Sequence, residues 1–115
     1  MHELSMAQAL VDQVEQIRAK ENAREVVSIT VDIGALSGVD REAFEFAFPL
    51  AAEGTSAAGA SLVVERTPAG VTCDQCGEQS QPELTDLRCV PCGSRRVRIT
   101  VGRDFLIKSV ELKGD

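Results

Sequence analysis

One stretch near the C-terminal end, CDQCGEQSQPELTDLRCVPCG, constrains this chain more than any other. Cys73 and Cys76 form one C-x2-C pair, Cys89 and Cys92 a second, and 12 residues separate the pairs. Each pair is expected on a tight turn. Gly77 and Gly93 follow the second cysteine of each pair and permit the positive φ with which such a turn often ends. Two knuckles facing each other supply four thiolates at tetrahedral corners, an arrangement that suits zinc. Iron is the rival metal, since paired C-x2-C-G turns also suit an iron–thiolate centre, red when oxidised where zinc is colourless. A four-cysteine site leaves no open coordination position, so its expected role is to fold a ribbon too small to have a core. A thioredoxin-like redox role is disfavoured because neither pair opens a helix in a βαβ setting.

The hydrophobic pattern brackets this insert. Residues Ser5 to Glu21 predict an amphipathic helix, with Met6, Leu10, Val14 and Ile17 on one face and Ser5 with Gln8 as a capping box. Val26 to Gly34 predicts a strand with Val27, Ile29, Val31 and Ile33 on one side. The segment VDREAFEFAFPLAAEGT predicts a second helix, with Asp40 as N-cap, Ala43, Phe44, Ala47 and Phe48 inward, and Pro49 weakening its middle. Ala60 to Thr67 predicts another strand, and Val97 to Leu112 a hairpin turning near Gly102 to Asp104. The expected fold class is α+β: a small sheet with two helices, interrupted by a zinc-ribbon-like insert. The boundaries expected are 1–69 plus 96–115 for the sheet-and-helix domain and 70–95 for the metal-binding one.

Charge and composition exclude several functions. At 115 residues the chain has one domain's worth of length, or a domain plus a metal-stapled insert. Its formal net charge of −6 argues against general nucleic-acid binding, which depends on neutralising phosphates. The cluster Arg95, Arg96 and Arg98 reads as a solvated strand edge balancing the anionic knuckles. The N-terminus has no apolar signal region, and no uncharged run is long enough to span a bilayer, so a cytoplasmic protein without membrane attachment is expected. In that compartment four cysteines hold a metal more readily than disulfides. No phosphate-binding glycine loop and no Ser-His-Asp set can be assembled, so the chain is not expected to be an enzyme.

The sequence begins MHELSMAQAL and contains one histidine, His2. The Met1 amine and the His2 amide nitrogen can close a five-membered chelate ring, and the His2 amide with its own Nδ1 a six-membered one. Near-planar nitrogen donors suit Ni²⁺ or Cu²⁺, with a fourth donor from the Glu3 amide, the Glu3 carboxylate or elsewhere. The competing reading is a solvated side chain at a frayed chain end.

MHELSMAQAL at the start, VDIGALSGVDREAFEFAF in the middle and the paired C-x2-C insert, in this order, together resemble the HypA family of hydrogenase maturation nickel chaperones, essentially end to end. The resemblance implies a nickel-binding α/β domain interrupted by a structural zinc domain. It implies Ni²⁺ bound through His2, backbone nitrogens and nearby groups, with Met1 and Glu3 matching the motif and Asp40 near the nickel end. It also implies Cys73, Cys76, Cys89 and Cys92 as zinc ligands. The implied function is delivery of Ni²⁺ to the [NiFe]-hydrogenase large-subunit precursor together with a HypB-type GTPase; some relatives also supply urease. This chain departs from the pattern in having no histidine in the cysteine insert. A zinc-ribbon adaptor that ignores nickel is the alternative, and it would be indifferent to His2.

Overall fold

The computed structural model describes residues 2–114. The elements in chain order are α1 (His2–Lys20), β1 (Glu25–Ile33), α2 (Arg41–Ala52), β2 (Ser61–Glu65), β3 (Gly70–Cys73), β4 (Gln79–Ser80), β5 (Val97–Val101) and β6 (Phe105–Lys113). They form two three-stranded sheets, ordered β2-β1-β6 and β4-β3-β5. The chain divides into two compact units. The first takes the residues up to Asp32, Val39–Glu65 and those from Leu106 on; the second takes Ile33–Gly38 and Arg66–Phe105. The second unit thus extends past both ends of the 70–95 insert.

In the first unit, β1 and β2 pair in parallel, Ser28 opposite Ser61 through Asp32 opposite Glu65. Parallel neighbours need a crossover, and α2 provides it. The two helices pack on each other. Helix α1 buries Ala7, Leu10, Val11 and Val14, an i, i+3, i+4, i+7 stripe. That stripe is rotated from the expected one, so Ile17 is exposed. The helix also starts at His2, three residues ahead of the expected capping box, which places Ser5 inside its first turns. The chain leaves the helix after Lys20 through a turn at Asn22, whose φ of 55° is tolerated best by asparagine after glycine. There Asn22 N–H donates to Ala19 O and Ala23 N–H to Arg18 O.

Helix α2 begins as expected: Asp40 is extended, and its Oδ1 accepts from Ala43 N–H at 3.2 Å. Phe44, Ala47, Phe48 and Ala52 are its buried face, and the helix continues past Pro49 to Ala52. In β1, Ile29, Val31 and Ile33 are buried as expected, but Val27 is exposed and Val26 takes the buried place.

The hairpin expected over Val97 to Leu112 does not form. Strand β5 pairs antiparallel with β3 in the second sheet, whereas β6 is a neighbour of β1 in the first. Both strands alternate as a hairpin would, and alternation does not name a partner. What separates them is the crossing at the intended turn. Leu36 N–H donates to Gly102 O at 2.7 Å and Gly34 N–H to Asp104 O at 2.8 Å, so the turn's carbonyls serve another segment. A Cβ on Gly34 would lie 2.4 Å from Gly102 O, so only glycine lets these backbones meet. The third segment of this crossing is tied by Ala35 N–H, which donates to Thr67 O at 2.9 Å.

Candidate metal centres

The cysteine site is built by two turns of the same construction. In the first, Gly77 N–H donates to Cys73 O and Cys73 N–H to Glu78 O; in the second, Gly93 N–H donates to Cys89 O and Cys89 N–H to Ser94 O. Gly77 and Gly93 have φ of 79° and 76°, the left-handed conformation expected at those positions. Cys73 sits at the end of β3, and its Sγ accepts from Gln75 N–H at 3.3 Å and Cys76 N–H at 3.4 Å. The first cysteine of each pair is buried and the second exposed.

All four sulfurs lie within 4.8 Å of one another, with Cys73 to Cys92 at 3.7 Å and Cys76 to Cys89 at 3.5 Å. A metal about 2.3 Å from each of four tetrahedral sulfurs would set them about 3.8 Å apart. The donors present fit a tetrahedral zinc ion. Without one, the sulfurs are electrostatically unequal. Cys73 is lowered to about 6, first by the Cys76 N–H and then by the Gln75 N–H, against the opposing effect of burial. Cys89 accepts from the Cys92 N–H, which favours its thiolate, yet burial and the neighbouring sulfurs raise it to about 12. A cation resolves the conflict by holding all four as thiolates. Two of the nearby arginines face aspartates: Arg98 lies 2.8 Å from Asp74 and Arg95 3.9 Å from Asp86.

The second group of expected donors lies in the first unit, where the N-terminal ends of α1 and α2 meet. Glu3 Oε2 accepts from Asp40 N–H at 3.2 Å and lies 3.5 Å from His2 Nδ1. The His2 side chain is 63% exposed and that of Glu3 16%. Glu3 is held below the usual carboxylate range, first by the Asp40 N–H, then by its own backbone N–H, with His2 adding to the effect. Met1 lies outside the described residues. The structure thus brings His2, Glu3 and Asp40 together, with the Asp40 carboxylate turned to capping α2. Among the described residues the four cysteines alone form a side-chain cluster of three or more metal donors.

Sequence reasoning missed where α1 starts, and that matters for the donors. The first four N–H groups of an α-helix have no intrahelical partner. With the helix beginning at His2, the His2 and Glu3 amides are among them. The signal was available in Glu3, an acidic residue in the first turn, where the helix dipole favours one.

Comparison with known proteins points to one family along nearly the whole chain. Residues 1–112 match the family model described as hydrogenase/urease nickel incorporation, metallochaperone, hypA. The hydrogenase maturation factor HypA of Nitrosospira multiformis is 43% identical over 112 residues, 97% of each chain. That of Aquifex aeolicus is 38% identical over 115 residues, covering all of both. The solution structure of the Ni metallochaperone HypA from Helicobacter pylori superposes with a TM-score of 0.69 at 25% identity, covering 98% of each chain. A second solution structure of a HypA protein gives 0.77 at 27% identity, covering 100% of this chain and 98% of that one. With its two helices, its small sheets and its converging cysteines, the chain belongs to the HypA family of nickel-incorporation metallochaperones for hydrogenase and urease.

Proposed function

We propose that the chain is a cytoplasmic carrier, without catalytic activity, that binds Ni²⁺ at its N-terminus and delivers it to the [NiFe]-hydrogenase large-subunit precursor with a HypB-type GTPase. The first unit carries the nickel and the second holds zinc on Cys73, Cys76, Cys89 and Cys92. The observation that supports this reading is the start of α1 at His2, which leaves the His2 and Glu3 amides outside the helical ladder beside the lone imidazole. Nickel is the cargo. Its donors are the Met1 amine, the His2 amide and Nδ1, and a fourth nitrogen or oxygen from Glu3, with Asp40 fixing Glu3 in place. Planar nitrogen ligation of this kind displaces amide protons, so nickel binds more tightly as pH rises. An exposed imidazole at a helix end suits hand-over, because a receiving protein can replace the donors one at a time. A dissociation constant of about micromolar is compatible with carrying and releasing the ion.

Calorimetry with Ni²⁺ on zinc-loaded protein carrying its native Met1, beside His2→Ala, tests this. One-site binding in the first and none in the second is expected. An N-terminal tag should abolish the same binding by removing the free amine. Equal binding in wild type and His2→Ala, or none in either, would make His2 a bystander and favour a zinc-ribbon adaptor.

A further inference from the structure

Three phenylalanines in α2 stand two residues apart. A spacing of two turns a helix through about 200°, so Phe44 and Phe48 share one face and Phe46 takes the opposite one. Phe44 and Phe48 are 0% and 3% exposed; Phe46 is 74% exposed, and Leu50, one turn on, is 56% exposed. Pro49 is exposed beside them. Together Phe46, Pro49 and Leu50 form an apolar ridge on the outer face of α2, where an amphipathic helix ordinarily carries polar side chains.

The charge around the ridge is acidic. Glu42 lies one turn before Phe46, and Glu53 is the C-cap one turn beyond Pro49; both are exposed. Glu45 flanks the ridge too, but Arg41 answers it at 3.2 Å. The position of Glu53 is electrostatically wrong for an isolated helix, because carboxylates are disfavoured at the negative C-terminal pole. Helix α1 obeys that rule with Arg18 and Lys20 in its last turn; α2 has no basic residue there.

We propose that this ridge docks a basic amphipathic segment of a partner protein, whose apolar side chains cover Phe46 and Leu50 while its lysines or arginines meet Glu42 and Glu53. A partner cation at Glu53 supplies the positive charge that the end of α2 lacks. A second copy of this chain fits poorly, since two such ridges face to face would oppose glutamate with glutamate. The ridge covers little more than one helical turn, and about three with its flanking glutamates, so the contact is small and transient. Phe46 lies about 9 Å along the helix axis from Asp40. On the nickel reading, on which this part rests, a partner seated there has the donors of His2 and Glu3 at its edge, ready for transfer.

The test titrates ¹⁵N-labelled, zinc-loaded full chain with a synthetic Leu-Lys amphipathic peptide of about 14 residues, and separately with its Leu-Glu counterpart. The Leu-Lys peptide should shift the α2 amide signals saturably, and the Leu-Glu peptide should not. Phe46→Ser with Leu50→Ser should weaken that binding by about tenfold or more. Glu42→Gln with Glu53→Gln should weaken it severalfold and flatten its salt dependence. Equal binding of both peptides, unchanged binding by the serine variant, or shifts confined to residues 66–105 would overturn the proposal. So would a wild-type dimer in sedimentation that Phe46→Ser dissolves, which would assign the ridge to a second copy. Nickel calorimetry on the same samples keeps the readings apart. Peptide binding that fails with nickel binding intact refutes the ridge alone, and wild type that takes the peptide but no nickel refutes the carrier alone.

Discussion

Removing the metal from the cysteine site should unfold one unit and leave the other standing. Among the described residues seventeen apolar ones are buried, and twelve of these lie in the first unit, among them Leu10, Val14, Ile29, Val31, Phe44 and Phe48. Five lie in the second: Ile33, Ala69, Val71, Cys73 and Cys89, two of which belong to the four-cysteine cluster. Burying Ile33, Val71 and Ala69 contributes together about 6 kcal/mol at most. A structural zinc site contributes about 10–16 kcal/mol near pH 7. A bound metal would therefore be the larger stabiliser of the second unit, whereas the first has a core of its own. Chelation at pH 7, followed residue by residue in ¹H–¹⁵N spectra with hydrogen exchange, should collapse the amide signals of residues 66–105. The signals of α1, α2 and β1 should stay dispersed and protected. Cys73→Ala should reproduce the pattern without chelator and lose the zinc. Protected, dispersed signals across residues 66–105 in metal-free protein would refute the reasoning, as would full retention of zinc by Cys73→Ala.

Asp40→Ala should lower the stability of the first unit by about 1 kcal/mol, or about 4 °C in Tm, through loss of the α2 cap. Asp40→Asn should keep the cap, so equal melting of the two variants would show that the Ala43 bond contributes nothing. Phe44→Ala should cost about 3–5 kcal/mol by urea unfolding, whereas Phe46→Ala should stay within about 0.5 kcal/mol; comparable losses would contradict their opposite faces. The lowered pKa of Glu3 means that its link to Asp40 stabilises the fold above the usual carboxylate pKa and is lost as pH falls through the lowered one. Glu3→Gln should therefore remove part of the acid sensitivity seen in the α1 amide signals, and identical acid profiles would show that this link is idle.

Much of this was legible in the sequence because the signals were local. The C-x2-C-G spacing needs only a turn and a glycine to aim its sulfurs, and the structure brings the four within 4.8 Å. Asp40 as a cap and Phe44 with Phe48 as a buried pair follow from helical spacing alone. What escaped depended on distant partners. Strands β5 and β6 alternate as a hairpin would, and only the carbonyls taken by Gly34 and Leu36 send them to different sheets. Ser5 and Gln8 have the spacing of a capping box, yet the helix runs on to His2, where Glu3 bonds Asp40 from another element. The outward turn of Phe46 was present in the spacing of three phenylalanines, but the two inward ones masked it.

The crossing of three segments at Gly34, Thr67 and Gly102 has a consequence for how the first sheet is assembled. Strand β6 belongs beside β1, yet about 40 residues separate it from β2, and bringing its ends together costs chain entropy that grows with the logarithm of that length. Once the second unit folds, Ala35 and Leu36 hold Thr67 and Gly102 on one short segment, and the long loop behaves as a short one. The saving is about 2 kcal/mol. A zinc ion bound by the four cysteines would thus stabilise the pairing of a strand it never touches, by shortening the search that strand must make.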